Sequence, residues 1–397
     1  MNVEDLVRDT FREQAAGGVR TPPDFADRVL AVRRRRRTRT LAGAAVATVA
    51  AVAAAVAVPL LDTGGDDVRP AGETNRSDII AHPDQSPPRD LIAAGDTVLA
   101  AFSAVQKVEQ PNKDEIITRT YRLLDQRTGR YEKDSRWSLV DVAPGGRTAA
   151  VLERELPARR VGLLNLMTGE VDRWIPVPQG AAGIDFSPDG RKLLATTYDK
   201  NPDRLYWSRR RELIGPHGKV VEPQGMPSRT GFSVIDVASG KADWHKASSW
   251  KDSAGRSLNP RSDFLFNLDG KLLYEHTYDQ PYRVYHDLVG RTVPTPPDEK
   301  KLVDVDTGAS PDGKLVAFPS GVRVLATGKR VPGVPDVALL AWAGNKRLVA
   351  WQINEHMSGN PRRLVLLTLG TDKLVPLSGY GTQEYDARHW DPLFGRR

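Results

Sequence analysis

Short apolar segments that alternate with tight turns dominate the chain from Asp90 onward. The clearest stretch, Ile184 to Tyr198 (IDFSPDGRKLLATTY), predicts a strand, a Pro-Asp-Gly turn and a second strand. After an interruption, Phe232 to His245 (FSVIDVASGKADWH) predicts a strand, a Ser-Gly turn and another strand. Together, the two parts predict one four-stranded antiparallel meander.

This two-part unit recurs about six times, with a typical spacing of about 45 residues. Its inner turns lie at Ala94-Gly95-Asp96, Pro144-Gly145-Gly146, Pro188-Asp189-Gly190, Leu268-Asp269-Gly270, Pro311-Asp312-Gly313 and Gly344-Asn345. Its outer turns lie at Thr128-Gly129, Thr168-Gly169, Ser239-Gly240, Val289-Gly290, Thr327-Gly328 and Leu369-Gly370. Such a period, with four strands in each unit, is typical of a β-propeller. The sequence therefore predicts an all-β fold, a propeller of about six blades over residues 90–397, and leaves open whether Gly379 to Arg397 supply a closing strand.

Two of these units carry a family resemblance. The segments FSPDGRKLLATTY, from Phe186, and ASPDGKLVAFPS, from Ala309, resemble the Pro-Asp type, WD-like repeats of TolB-like propellers. The layout of the whole chain resembles membrane-anchored propeller proteins of bacteria. This resemblance implies a propeller fold but no particular function, because propellers host many unrelated activities. The Gly-His and Trp-Asp pairs of true WD repeats are missing from their fixed places.

A different pattern lies near the N-terminus, where no charged residue occurs between Leu41 and Leu61. As a helix, these roughly 21 residues would cross a hydrocarbon core of roughly 30 Å. Acidic residues follow the run, at Asp62, Asp66 and Asp67, and six arginines precede it: Arg33, Arg34, Arg35, Arg36, Arg37 and Arg39. By the positive-inside rule, the sequence predicts a signal-anchor in the plasma membrane, with a cytoplasmic N-terminus and an extracytoplasmic C-terminus.

The alternative for this run is a cleaved signal peptide, because Ala55-Val56-Ala57 has the form of a cleavage site. A charged region of about 40 residues ahead of the run is longer than a signal peptide normally carries, which favours a retained anchor.

The head, residues 1–40, is predicted to form two short helices. Leu6 and Phe11 lie on the apolar face of the first helix, and Phe25 and Val29 lie on that of the second. These faces either dock a cytoplasmic regulatory protein or lie on the lipid bilayer beside the six arginines, and lipid suits them at least as well. Residues 62–89 are rich in Gly, Pro, Asp and Ser, and they predict a flexible linker.

Charge and cysteine content narrow the possible partners. The net charge is +7, and more than half of it lies in the first 40 residues. The basic character therefore belongs to the membrane-proximal cluster, which suits anionic lipid headgroups and argues against nucleic acid as a partner. The chain has no cysteine, so disulfides and thiolate metal sites are excluded.

Candidate binding residues lie on the irregular links between strands, where functional side chains tend to occur. The longest link runs from Asp199 to Gly231. Aromatic rings beside guanidinium groups could hold an anionic or glycan ligand. The candidates are Tyr206, Trp207, Arg209, Arg210, Arg211, Trp250 and Arg261. The competing interpretation, which is favoured, is a hairpin that extends blade three, with Trp207 packed on its neighbour and the arginines solvated.

Signatures of catalysis are missing from the sequence: it contains no Gly-x-Ser-x-Gly elbow, His-Glu-x-x-His, phosphate loop or dinucleotide fingerprint. We therefore predict no catalytic residue, no metal site and no cofactor. The leading hypothesis is a non-catalytic scaffold or sensor whose propeller binds a protein or cell-envelope ligand. One alternative is a transmembrane regulator whose head binds a sigma factor, although the His and Cys pattern of zinc-binding anti-sigma heads is missing. The other is a propeller hydrolase with a metal on its axis.

Overall fold

The fold is described from a computed structural model, which defines residues 79–215, 218–247, 261–277, 282–297, 307–318, 321–357, 360–371, 373–381 and 390–396. This part of the chain contains 25 strands and no helix. The predicted all-β class is therefore confirmed for the described residues. The predicted head and the apolar run Leu41–Leu61 lie outside them.

In chain order, the first strands are β1 (Ile79–Ile80), β2 (Ala93–Ala94), β3 (Thr97–Glu109), β4 (Glu115–Asp125), β5 (Arg130–Asp134), β6 (Trp137–Val142), β7 (Thr148–Glu153), β8 (Ala158–Asn165) and β9 (Glu170–Phe186). They are followed by β10 (Lys192–Tyr198), β11 (Arg204–Gly215), β12 (Gly218–Gly225), β13 (Arg229–Asp236), β14 (Ala242–Lys246), β15 (Leu265–Phe266), β16 (Leu273–His276), β17 (Arg283–His286) and β18 (Thr292–Val293). The last are β19 (Leu315–Phe318), β20 (Gly321–Val324), β21 (Ala338–Gly344), β22 (Arg347–Ile353), β23 (Arg362–Thr368), β24 (Leu374–Pro376) and β25 (Asp391–Arg396).

Blades two and three form one continuous seven-stranded sheet. Strands β6, β7, β8 and the first part of β9 form blade two, and the second part of β9 with β10, β13 and β14 forms blade three. The long strand β9 is therefore the outer strand of one blade and the inner strand of the next. The interruption that splits the sequence repeat lies between β10 and β13.

Blades four, five and six follow the same antiparallel order. Blade four consists of β15 to β18, and blade six consists of β21 to β24. Blade five pairs β19 with β20, and the isolated bridges Ala309↔Val316 and Arg323↔Arg330 add a short row on each side. The described residues therefore contain the four-stranded units that the turn spacing predicts.

Blade one is completed by the far end of the chain. Its order is β25, β3, β4 and β5, and β25 pairs with β3 from Asp391↔Ser103 to Arg396↔Thr97. Thr97 Oγ1 donates to Trp342 O of blade six at 2.5 Å. Gly95 has a φ of +54°, and a Cβ there would lie 2.1 Å from the Ala343 carbonyl oxygen. The last strand thus joins blade one, and blade one lies directly against blade six, as closure of a propeller requires.

Carboxylates on the inner strands link neighbouring blades. The Phe186 amide of blade three donates to Asp141 Oδ2 of blade two at 2.8 Å. The Phe266 amide of blade four donates to Asp185 Oδ2 of blade three at 2.7 Å. Each carboxylate therefore satisfies a backbone donor of the next inner strand, which fixes the blades against one another.

The predicted turns are confirmed in detail. In the turn of blade three, Ser187 Oγ donates to Asp189 Oδ1 at 2.7 Å, and the Lys192 amide donates to Ser187 Oγ at 2.9 Å. Blade five repeats this arrangement with Ser310 and Asp312. The recurrent Ser-x-Asp-Gly sequence therefore has a local role in closing the hairpin, because short polar side chains pair with the turn backbone.

The folded unit begins earlier than the sequence predicts. Strand β1 pairs with β2, the Gly379 amide donates to Gln85 O at 2.8 Å, and Gln85 Nε2 donates to Asp90 Oδ2 at 2.6 Å. Residues from Ile79 onward therefore belong to the propeller, and the linker predicted over 62–89 is correspondingly shorter at its C-terminal end. Within the described ranges, no helix is long and apolar enough to span a bilayer.

Candidate functional site

Two insertions from different blades form one small sheet. Strands β3 and β4 remain paired to Glu109↔Glu115, whereas the pairing of β4 with β5 ends at Tyr121. The hairpin β11–β12 joins this extension through Arg204↔Ile116 and Leu205↔Glu115. We call this four-stranded sheet, residues 104–119 and 204–225, the bridging sheet. It connects blade one with blade three and skips blade two. The predicted hairpin therefore exists, but it pairs with blade one instead of extending the sheet of blade three.

A buried ion-pair network lies at the base of the bridging sheet. Asp203, just before β11, contacts Arg119 of β4 and Arg261, which precedes β15. Arg261 donates from Nε to Asp203 Oδ1 at 2.9 Å and from Nη2 to Oδ2 at 3.0 Å. Burial alone would raise the pKa of Asp203, but the guanidinium charges of Arg119 and Arg261 outweigh it and lower this pKa to about 2. Asp203 is therefore ionised at neutral pH, and it links blades one, three and four.

The network continues along the start of blade four. Arg261 Nη1 donates to Asp263 Oδ2 at 2.8 Å and to Ala182 O at 2.7 Å. The Tyr198 hydroxyl donates to Asp263 Oδ1 at 2.7 Å and accepts from the Ser262 amide at 3.0 Å. Burial, reinforced by the negative charge of Asp263, raises the pKa of Tyr198 well above its ordinary value. Tyr198 therefore stays neutral and serves as a hydrogen-bonding link.

A second buried group adjoins the first through Ser262. Arg229 Nη1 lies 2.8 Å from Glu275 Oε2 and donates to Ser262 O at 2.7 Å, and its guanidinium lies 4.0 Å from the centre of the Phe264 ring. His286 Nε2 is 3.2 Å from Glu275 Oε1. Burial opposes ionisation of Glu275, but His286 and Arg229 lower its pKa below the usual range. These buried charges compensate one another, so the network fixes the arrangement of the blades.

The exposed part of the bridging sheet has a different character. Residues between Tyr206 and Arg211 bulge out of β11, opposite Gln224 and Glu222 of β12. The Trp207 amide donates to Asp114 Oδ1 at 2.9 Å, which fixes the start of this bulge. The Trp207 amide and Arg204 lower the pKa of Asp114. Asp114 is thus an ionised anchor for the bulge.

Cationic groups surround Trp207. Lys113 Nζ lies 5.8 Å from the centre of its ring, and the Arg210 guanidinium lies 5.7 Å away. Arg209, Arg210 and Arg211 are exposed, and none of them forms an ion pair with a carboxylate of the described residues. We call Trp207 to Arg211 together with Lys113 the cationic bulge. It offers several guanidinium donors to solvent beside an aromatic ring.

The structure separates the candidate binding residues into two places. Tyr206, Trp207, Arg209, Arg210 and Arg211 lie together in the bridging sheet, where Tyr206 contacts the Arg204 guanidinium. Arg261 lies in the buried network, 7% exposed, with its nitrogens bound to Asp203, Asp263 and Ala182. Trp250 lies outside the described residues.

Sequence reasoning missed Lys113, Asp114, Arg119 and Asp203. The sequence does indicate that these residues belong to unusually long strands. Segments 97–109 and 115–125 are longer than typical propeller strands. That length predicts a protruding hairpin, but not its partner.

The remaining predicted sites lie outside the described residues. These are Leu6, Phe11, Phe25 and Val29 of the head and the arginines at 33–37 and 39. Within the part of the chain that the structure describes, no group of three or more His, Cys, Asp or Glu side chains is arranged to hold a metal ion.

The strand pairing defines the protein as a β-propeller with six blades among its described residues. Among solved structures, it is similar to TolB from Acinetobacter baumannii, with 15% sequence identity, a TM-score of 0.36 and coverage of 75% of this chain and 68% of TolB. It is also similar to the acylaminoacyl peptidase from Pyrococcus horikoshii, with 14% identity, a TM-score of 0.39 and coverage of 75% of this chain and 47% of the peptidase. The β-propeller domain of Cps50 (Swd1) from Myceliophteria thermophila matches with 11% identity, a TM-score of 0.30 and coverage of 62% and 87%, respectively. No protein-family model and no curated protein sequence matches the chain.

Proposed function

We propose that this chain is a single-pass membrane protein whose extracytoplasmic propeller binds an anionic protein or cell-envelope ligand without catalysis. The cationic bulge carries the proposal, because its three consecutive exposed arginines have no carboxylate partner among the described residues. Guanidinium groups bind carboxylates and phosphates through paired hydrogen bonds. Buried or ionised carboxylates also hold the bulge in place. Asp203 anchors the base of the bridging sheet, and Asp114 accepts the Trp207 amide at the start of the bulge. A supported, unpaired cationic surface favours a binding role over a purely structural one.

Removing the arginines of the bulge is the direct test. The variant Arg209→Ala/Arg210→Ala/Arg211→Ala is expected to bind an immobilised decaglutamate peptide at least tenfold more weakly than the unchanged full-length chain. Each lost charge-assisted hydrogen bond is worth about 1.5–3 kcal/mol before solvent screening. Binding is measured by biolayer interferometry at 50 and 200 mM NaCl, and the binding of the unchanged chain is expected to weaken as the salt concentration rises.

A matched control removes the same charge elsewhere. Arg127, Arg191 and Arg291 are exposed on turns of blades one, three and four. The variant Arg127→Ala/Arg191→Ala/Arg291→Ala is expected to retain binding within twofold. Equal losses in the two triple variants would mean that only the net charge matters, and the bulge would then not be the site.

The membrane arrangement has its own prediction. A secreted-type phosphatase fused after Arg397 is expected to be active outside the cytoplasm, and the chain is expected to remain in the membrane fraction after carbonate washing. The apolar run Leu41–Leu61 behind six arginines is the reason. A mature protein that begins near Val58, or a fusion that is active only inside the cell, would contradict a retained anchor with this orientation.

A further inference from the structure

An open cleft of about 590 Å³ lies on the side of blade two that faces blade one. It is lined by Arg136, Trp137, Glu153, Arg154, Glu170, Val171 and Trp174. The cleft is distinct from the cationic bulge, since its residues come from β6, β7, β9 and the links beside them. Its volume lies within the range of small-ligand sites, about 300–1,000 Å³.

Two guanidinium groups in and beside this cleft are held in fixed positions. Arg136 binds Asp134 through Nε and Nη2, donates from Nη2 to Gly169 O at 3.1 Å, and lies 4.8 Å from the centre of the Trp137 ring. Arg160 binds Glu153 through Nε at 3.1 Å and Nη2 at 2.7 Å. It lies 4.0 Å from the centre of the Trp174 ring. Because both groups are already oriented, a ligand would lose little affinity to the ordering of these side chains.

Each of these guanidiniums has one nitrogen that can still donate a hydrogen bond to a ligand. The Nη1 atoms of Arg136 and Arg160 donate no hydrogen bond to the described residues, whereas their other nitrogens are occupied. Glu170, on the same rim, is exposed and forms no ion pair with the described part of the chain. The rim therefore offers fixed donors and a free carboxylate acceptor side by side.

Because guanidinium donors and carboxylate acceptors lie together on the rim, some classes of ligand fit the cleft better than others. A phosphate or polyanion would face the carboxylates of Glu153 and Glu170. An apolar segment would bury the Nη1 donors of Arg136 and Arg160 and the Glu170 carboxylate without hydrogen-bond partners. A hydroxyl group both donates and accepts, so it can satisfy a guanidinium and a carboxylate at once. The indole of Trp174 is partly exposed beside Arg160, and the part that Arg160 leaves uncovered can contact the C–H groups of a sugar ring.

We infer that the cleft lined by Trp137 and Trp174 is a carbohydrate site that binds a neutral oligosaccharide. The part of the Trp174 indole that Arg160 leaves exposed provides the apolar contact, the Nη1 atoms of Arg136 and Arg160 donate to sugar oxygens, and Glu170 accepts from a hydroxyl. This site is independent of the anionic ligand proposed for the cationic bulge, and either can be present without the other.

The experiment titrates the full-length chain with four neutral tetrasaccharides, cello-, chito-, malto- and mannotetraose, by calorimetry and tryptophan fluorescence. At least one of them is expected to bind saturably. Trp174→Ala is expected to weaken that binding at least tenfold. Glu170→Gln, on an exposed side chain that does not support the fold, is expected to weaken it at least threefold. Thermal unfolding shows whether each variant remains folded.

Trp244→Ala is the matched control, since Trp244 lies on the outer strand of blade three, away from the cleft, and is 37% exposed. It is expected to change the affinity by less than twofold. Failure of all four sugars to bind, tighter binding of matched tetrapeptides, or unchanged binding in both the Trp174 and Glu170 variants would overturn the inference. Loss of decaglutamate binding in the triple arginine variant is a separate result, so failure of either proposal can be told apart from failure of the other.

Discussion

Replacing Asp203 with asparagine is expected to lower the free energy of unfolding by about 3–5 kcal/mol. The carboxylate lies between Arg119 and Arg261, and all three side chains are less than 10% exposed. Asparagine has nearly the same shape but no charge, so buried Arg119 would lose the Asp203 carboxylate, and buried Arg261 would keep Asp263 but lose the second of its carboxylates. Breaking a buried ion pair by removing one partner costs much more than the pair contributes when it is intact. Urea unfolding of the full-length chain, followed by circular dichroism, measures the change.

The same substitution has a pH signature. The pKa of Asp203 is lowered to about 2 in the folded chain, against about 3.9 in an unfolded one. Its contribution, roughly 2–3 kcal/mol, is therefore fully present above about pH 4 and is lost as the pH falls towards 2. Asp203→Asn is expected to lack this part of the acid dependence, so that the two stability curves approach each other below about pH 3.

An exposed ion pair provides the comparison. Asp243 pairs with Lys241 at 3.0 Å, but the side chains are 56% and 73% exposed. Asp243→Asn is expected to cost less than about 1 kcal/mol, because solvent screens the pair. If the Asp203 and Asp243 variants lost similar stability, or if the Asp203 variant kept the full acid dependence, the buried network would not hold the blades as described.

The blade pattern was predictable because its determinants are local. Ser187, Asp189 and Gly190 lie within one hairpin, and their hydrogen bonds join residues two to five positions apart. The positive φ values of Gly190 and Gly240 follow from the turns themselves. Because these turn interactions are local, the spacing of the turn sequences was sufficient to predict the four-stranded units.

Two features of the fold could not be predicted, because they depend on contacts between distant residues. The bridging sheet forms where Arg204 meets Asp114, 90 positions away. Strand β25 completes blade one at the other end of the chain from β3, and Trp390 reaches Ser86 across 304 positions. The sequence of an edge strand does not specify which distant strand it pairs with.

The candidate site also depends on contacts between distant residues, which the sequence does not specify. Arg209 and Arg261 are both arginines in long links, and the sequence gives no reason to separate them. The fold separates them completely, since Arg209 is exposed and Arg261 is surrounded by Asp203, Asp263 and Ala182 O. Burial of a charged residue is a property of its partners, and these partners come from other blades.

Deleting residues 391–397 is expected to abolish cooperative folding of the propeller. Strand β25 covers the edge of β3 from Thr97 to Ser103, and it contributes Leu393, which is 1% exposed. Without it, the apolar residues of β3 lose their cover and an unpaired edge opens, which favours aggregation. The full-length and shortened chains are compared by size-exclusion chromatography and by the sharpness of urea unfolding.

A smaller change keeps this prediction measurable if the shortened chain cannot be recovered. Leu393→Ala is expected to cost about 2–5 kcal/mol, the range for a buried leucine, without changing the order of the strands. Ile353→Ala, at the end of β22 where the side chain is 49% exposed, is expected to change stability by less than about 0.5 kcal/mol. A shortened chain that unfolds as cooperatively as the full-length one, or a Leu393 variant no weaker than the Ile353 variant, would mean that closure by β25 does not stabilise the ring. Because β25 pairs with the exposed edge of β3, it connects the two ends of the repeat and makes the stability of blade one depend on the far end of the chain.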